Sequence, residues 1–269
     1  MLVSPSDSLK PFDCWNHNII ALTISIFLNE NPFTVTDLRT GAAGAVALKY
    51  TTREDDNIIG FIGTGAIARN MARGAASVRK NFTGVAYGLD AEGSKSFAEE
   101  MSSELGIPFK VASSSEELCN ECNVIYTQTT GSNFVLKLEH LRKGTTIIAS
   151  GSDQPTKQEL PNDVLQSTNK YIADLTKQTS RVGELRGAIE ANMMTTDDVY
   201  CELGELVNGT KVGRENDQEL IVVDLTGTGG MSITAVFLLF FHLNFYLFNL
   251  IIILFRSYFL QLKTPPLDR

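Results

Sequence analysis

The sequence predicts an α/β fold, a doubly wound parallel sheet, on three observations. Short apolar runs alternate with helical stretches from Ile58 onward, the signature of successive strand–helix–strand units with helices on both faces. The run Asn57-Ile58-Ile59-Gly60-Phe61-Ile62 leads directly into Gly63-Thr64-Gly65-Ala66-Ile67-Ala68, a G-x-G-x-x-A turn that opens a helix. A second apolar run, from Phe82 to Leu89, ends at Asp90, roughly 20 residues past that turn, where a nucleotide-binding sheet places an acid for the ribose.

In chain order, residues 36–51 read as a helix rich in Gly and Ala, with Arg39 at its start. Its small side chains permit close packing against another helix or a ligand. Strands are expected at 58–62, 83–89, 123–127, 145–149 and 170–173, and helices at 66–77, 94–105, 115–119, 160–166 and 184–191. A further helix is predicted from a Thr196 N-cap, with Asp197 and Asp198 in its first turn, to Val207, where Asn208-Gly209 stops it. The helices at 36–51 and 197–207 are expected to flank the nucleotide unit. Residues 222–225 form a strand entering the glycine-rich Thr226-Gly227-Thr228-Gly229-Gly230.

Each motif has a chemical reading and a plainer one. In the G-x-G-x-x-A turn, Gly63 permits the tight bend, Gly65 lets backbone approach a pyrophosphate, and Ala68 allows the helix to pack closely on the sheet. The free N–H groups and positive dipole end of that helix face the phosphates; taken alone, the same residues also make a merely structural turn. Asp153 follows the strand at 145–149 at its carboxyl end, where α/β sites gather, and suits acid/base work or a turn cap. Arg39 offers a bidentate fork to a carboxylate, or caps a tightly packed helix. The loop at Thr226 and Gly227 either closes over a nicotinamide or simply turns the chain.

Composition bounds the partners. The formal charge is −8 with few basic clusters, which argues against nucleic acid, because phosphate backbones demand a positive face. Cys14, Cys119, Cys122 and Cys201 show no disulfide framework and no secretory signal precedes them, so a cytoplasmic setting is expected. Cys119-Asn120-Glu121-Cys122 reads as two thiols at a helix end rather than a metal or redox site, and no metal is expected. Residues 233–255 carry no Asp, Glu, Lys or Arg and are dominated by Phe, Leu and Ile. Three readings stand for this tail: translated AT-rich non-coding sequence, a membrane anchor, or a buried helix. Residues 18–31 have a similar flavour.

Several segments, in the same order, resemble the ornithine cyclodeaminase and mu-crystallin family, which includes alanine dehydrogenases and ketimine reductases. They are Leu38-Arg39-Thr40-Gly41-Ala42-Ala43-Gly44, Gly63-Thr64-Gly65, Gly151-Ser152-Asp153-Gln154-Pro155-Thr156-Lys157-Gln158-Glu159-Leu160, Gly183-Glu184-Leu185 and Leu203-Gly204-Glu205-Leu206-Val207-Asn208-Gly209. The resemblance implies a Rossmann-type domain at 53–195 and an incomplete substrate and dimerisation domain, represented by 1–52 with the Arg39 helix. It also implies a return segment to that domain at 196–232, followed by the apolar tail at 233–269.

For chemistry, the resemblance implies Asp153 as the catalytic carboxylate, Arg39 and Lys157 as substrate ligands, and a cofactor cradle of Gly63, Thr64, Gly65, Ala66, Ile67, Asp90, Thr127, Thr129, Ser150, Thr226 and Gly227. The expected cofactor is NAD in preference to NADP, because Asp90 stands where NADP-using members carry an arginine and would repel a 2′-phosphate. The expected partners are a small amino or imino acid and a second subunit, with a membrane only if the tail is genuine. The expected reaction is ornithine cyclodeamination: oxidation at Cα, cyclisation with loss of ammonia, and return of the hydride to give proline. The alternatives are an amino-acid dehydrogenase or ketimine reductase on the same frame, and a non-catalytic NAD(P)H-binding protein of the mu-crystallin kind. In family members a substantial domain precedes the arginine helix and supplies further basic ligands. Only 38 residues precede Arg39 here, so substrate binding and dimerisation are expected to be only partly encoded.

Overall fold

A computed structural model describes residues 35–227 of the chain. The residues at 18–31 and the apolar tail from Ile233 lie outside them. Among the described residues no helix is long and apolar enough to cross a membrane.

The elements run α1 (Val35–Thr51), β1 (Ile58–Ile62), α2 (Ala66–Val78), β2 (Thr83–Tyr87), α3 (Ala91–Leu105), β3 (Phe109–Val111), α4 (Ser115–Glu121), β4 (Val124–Thr127), β5 (Thr146–Ala149), α5 (Asn162–Gln166), β6 (Lys170–Ala173), α6 (Thr176–Thr179), α7 (Glu184–Glu190), β7 (Val199–Glu202), α8 (Leu203–Val207) and β8 (Ile221–Asp224). The strands form one eight-stranded sheet in the order β3-β2-β1-β4-β5-β8-β6-β7, with every pairing parallel. The strand order reverses between β1 and β4, so the crevice at their carboxyl ends is the topological switch point where α/β sheets bind ligands.

Alternate strand residues feed two cores. Ile59, Phe61, Val124, Tyr126 and Ile148 pack beneath α1, α2, α3 and α8. Ile62, Ile125, Ile147 and Val222 pack beneath α4, α5 and α7. Such two-sided burial is why the strands read as continuous apolar runs rather than as alternating ones.

The small residues of α1 do what their size permits. A Cβ on Gly41 would stand 2.4 Å from Asn70 O, and one on Gly74 2.4 Å from Gly41 O, so α1 and α2 cross with their backbones nearly touching. Tyr126 stacks on Phe61 at 5.3 Å and its hydroxyl donates to Gly44 O at 3.0 Å. That bond satisfies a buried phenol and pins α1 to the sheet.

The structure corrects three expectations. The helix predicted to run from a Thr196 cap to Val207 is a 3₁₀ turn (Thr196–Asp198) capped by Thr195, then strand β7, then the five-residue α8. Pairing with β6 overrides the helical cap signal, because Val199, Tyr200 and Cys201 suit a pleated edge. Strands β7 and β8 come from residues 196–232, and β8 lies inside the sheet between β5 and β6. β3, a three-residue edge strand, was not predicted; it is too short to show a period. β2 stops at Tyr87 and α3 already starts at Ala91, because Asp90 caps the helix. Cys119 and Cys122 are buried in the second core, where burial pushes the Cys119 thiol up to about 12 and the Cys122 thiol in the same direction.

Candidate active site

The residues expected to cradle the cofactor lie mostly at the ends of β1, β2 and β4. Gly63 has φ +97°, and a Cβ there would lie 2.6 Å from Gln128 O. The turn therefore requires glycine for both its conformation and its space. Gln128, not singled out from the sequence, holds the turn: its Nε2 donates to Ile62 O at 3.0 Å and Gly63 O at 2.9 Å. From α2, Arg69 donates to Thr64 O at 2.6 Å while its guanidinium pairs with Glu100 at 2.8 Å. A Cβ on Gly65 would meet nothing within 4 Å, and the N-terminus of α2 has no side-chain cap. Open space in front of uncapped N–H groups, with Gly65 and Ala66 exposed and Ile67 half-buried behind them, fits a pyrophosphate.

The other predicted cofactor residues surround this turn. Thr64 faces the end of β2, since a Cβ on Gly88 would lie 3.1 Å from Thr64 Oγ1. Asp90 is exposed and caps α3, accepting Glu92 N–H at 3.2 Å and Gly93 N–H at 3.1 Å. An ionised carboxylate has about four acceptor positions, so this cap leaves capacity for ribose hydroxyls. Thr127 ends β4, and its carbonyl accepts Ser150 N–H at 2.9 Å. The Thr127 and Thr129 side chains face the buried Glu159 carboxylate and favour its anion, while the buried Gln128 Oε1 has no partner among the described residues.

Glu159 joins the loops after β4 and β5. It is fully buried, accepts Thr129 N–H, and lies where a Cβ on Gly151 would collide with it at 2.2 Å. Glu184 accepts the N–H groups of Glu159 and Leu160, each at 3.0 Å. Asp224 in turn accepts Glu184 N–H at 2.8 Å and the Tyr171 hydroxyl. Three buried carboxylates thus lash together the loops at one edge of the sheet, and burial pushes all three upward from their ordinary values, Asp224 to about 7.

The residues expected on the substrate side, and their neighbours, lie on α1 and at the ends of β5, β6 and β8. Asp153 is half exposed and pairs with Lys157 Nζ at 2.9 Å. Lys157 is itself held, since its carbonyl accepts Ser152 Oγ at 2.6 Å and Arg186 Nη2 at 3.1 Å. Arg39, in the first turns of α1, has a buried Nε without a partner among the described residues. Its guanidinium lies against Gly227, where a Cβ would stand 1.8 Å from Nη1. Burial lowers the Arg39 pKa; Asp174 first, then Asp153 and Asp37, act to raise it. Arg39 and Asp153, far apart in sequence, therefore share one electrostatic environment, with Thr226 and Gly227 beside them. Asp174 was not singled out from the sequence, although its position directly after a predicted strand, the argument applied to Asp153, was signal enough.

The described geometry can be set beside known proteins. The model of the ornithine cyclodeaminase/mu-crystallin family matches residues 27–240. A solved archaeal alanine dehydrogenase dimer with bound NAD is 33% identical, with a TM-score of 0.72, covering 76% of this chain and 62% of that one. A Delta(1)-pyrroline-2-carboxylate reductase from Thermococcus litoralis, solved with NADH and L-proline, is 30% identical, with a TM-score of 0.72, covering 76% and 63%. A lysine cyclodeaminase is 28% identical, with a TM-score of 0.68, covering 76% and 58%. The chain spans 62% of the length of the first two curated relatives it matches.

Proposed function

Because the chain belongs to the ornithine cyclodeaminase/mu-crystallin family, we propose that it is an NAD-dependent enzyme acting at the Cα of a small amino or imino acid. The observation that carries this reading is the Gly63-Thr64-Gly65 turn, which opens onto the N-terminus of α2 with nothing within 4 Å of a Cβ on Gly65, together with the Arg39 guanidinium lying against Gly227 just past the carboxyl end of β8. The NAD and NADH held by the alanine dehydrogenase and pyrroline-carboxylate reductase structures support the choice of cofactor, and exposed Asp90 disfavours a 2′-phosphate.

Bound at the switch point, the nicotinamide supplies a hydride acceptor or donor for Cα. The chain's own residues do the rest. Arg39 takes the substrate carboxylate in its fork and so fixes which hydrogen of Cα faces the sheet edge. Asp153 accepts the proton that leaves the amine as a C=N bond forms, and returns it when the imine is reduced. Lys157 keeps that carboxylate oriented through its 2.9 Å contact.

Ornithine cyclodeamination adds one sequence to this frame: the side-chain amine attacks the imine carbon, ammonia departs, and the hydride returns to give proline. The lysine cyclodeaminase similarity supports that outcome; the alanine dehydrogenase and pyrroline-carboxylate reductase similarities support a net redox reaction. Incubation with ornithine and catalytic NAD separates them. Ammonia release without net NADH identifies the cyclodeaminase, whereas turnover of alanine or Δ1-pyrroline-2-carboxylate with stoichiometric cofactor change identifies the oxidoreductase. No turnover of any of these, with NADH still bound, overturns the enzymatic reading in favour of a binding protein. A homodimer completing the substrate side is part of the proposal, supported by the dimeric alanine dehydrogenase.

A further inference from the structure

One buried acid beside Arg39 has no part in the reaction proposed above. Asp174 directly follows β6 and is 8% exposed. Its Oδ1 accepts Thr226 Oγ1 at 2.9 Å and Leu175 N–H at 2.7 Å, and its Oδ2 accepts Gly227 N–H at 2.7 Å. Gln178 Nε2 closes the other side of the same loop by donating to Gly227 O at 2.8 Å. Gly227 has φ +79° and carries the Arg39 guanidinium on its α-carbon, where a Cβ would collide with it.

Asp174 thus acts on Arg39 in two ways without binding it. Both its oxygens are committed to backbone and hydroxyl donors, and it makes no hydrogen bond to the guanidinium among the described residues. It is nevertheless the carboxylate that most favours the Arg39 cation. A direct bidentate pair would occupy the fork of the arginine. An acid held just behind the loop offsets the cost of burying the cation and leaves the fork free.

We propose that Asp174 is the positioning residue of Arg39: it fixes the Thr226–Gly227 loop as a floor beneath the guanidinium and supplies the counter-charge, so that the fork stays turned toward a substrate carboxylate. The carboxylate part rests on the reading of Arg39 given under the proposed function; the positioning of Arg39 does not.

The test uses the full chain and peptide-mapped phenylglyoxal modification, which reports the reactivity of each arginine. In Asp174→Asn, Arg39 is expected to react several-fold faster while Arg73, buried on α2, reacts at the wild-type rate. Thr226→Val keeps the charge and the shape, removes one Asp174 contact, and is expected to give a smaller acceleration; it decides the matter alone if Asp174→Asn does not fold. Arg39 reacting at the wild-type rate in the folded variants overturns the proposal. With the amino or imino acid substrate, Asp174→Asn is expected to raise KM roughly tenfold with kcat little changed, the pattern of lost ground-state binding. If Arg39→Met leaves KM unchanged, the carboxylate reading of Arg39 fails, and the modification rates still judge Asp174.

Discussion

Gly63 combines a φ of +97° with Gln128 O standing 2.6 Å from where a Cβ would be. Gly63→Ala is therefore expected to cost about 1–3 kcal/mol in backbone strain and displacement, read by urea unfolding, and to abolish NADH binding, read by cofactor fluorescence. Wild-type affinity in the folded variant would remove the turn from the cofactor site. Asp153 makes a different demand, because its side chain is half exposed and, among the described residues, tied only to Lys157. Asp153→Asn should fold with wild-type stability and bind NADH normally, while kcat falls by about 10²–10⁴, the usual share of a general base. A stable variant with undiminished kcat would return Asp153 to the role of a turn residue. Both residues were legible in the sequence, since each sits where a strand of predictable length ends. Gln128 and Glu159 were not, because their roles come from loops that meet only in the folded sheet.

At the level of elements, α1 and α2 depend on glycine at their crossing. Gly74→Ala places a Cβ 2.4 Å from Gly41 O, a backbone atom that cannot move aside without shifting α1. The expected loss is about 1–3 kcal/mol, measured as a lower urea midpoint with an unchanged m value. Because Arg39 rides on α1, KM for the substrate should rise along with the loss of stability. A variant as stable as wild type would mean that the helices can part without cost. The sequence showed that α1 was made of small residues; it did not show which helix they would meet, and a ligand was equally compatible with them. The 196–207 stretch shows the converse, where a good N-cap and two acids predicted a helix and a neighbouring strand claimed Val199–Glu202 instead.

For the whole molecule, the buried carboxylates set the pH dependence of stability. Burial holds Asp224 up at about 7 against an ordinary value of 3.8, and pushes Glu159, Glu184 and Asp174 in the same direction. In the unfolded chain these acids lose their protons at ordinary carboxylate pH. The folded protein thus binds more protons than the unfolded chain across that window, and its stability falls as pH rises. The Asp224 contribution is whole below its unfolded value and lost as pH passes about 7. Glu117 and Glu219, held below the usual 4.5, act in the opposite sense only at lower pH. Thermal unfolding is therefore expected several degrees higher at about pH 6 than at about pH 8.5. A flat or rising profile would show that the Glu159, Glu184 and Asp224 carboxylates are stabilised as anions in the fold.

The sequence by itself determined the alternation of strand and helix, the glycine turn that marks the sheet's switch point, and the family to which the motifs belong. These are local properties: a strand's apolar run, a turn's need for positive φ and a helix's first residues are encoded within a few positions. Only the tertiary structure decided that β8 runs inside the sheet, that Arg39 shares its surroundings with Asp153 and Asp174, and that buried acids tie the site loops together. Those relations join residues from 25 positions apart, as in Glu159 and Glu184, to more than 100, as in Arg39 and Asp153, and their energies arise from burial, which strips water from charged groups and exists only once the two cores have closed.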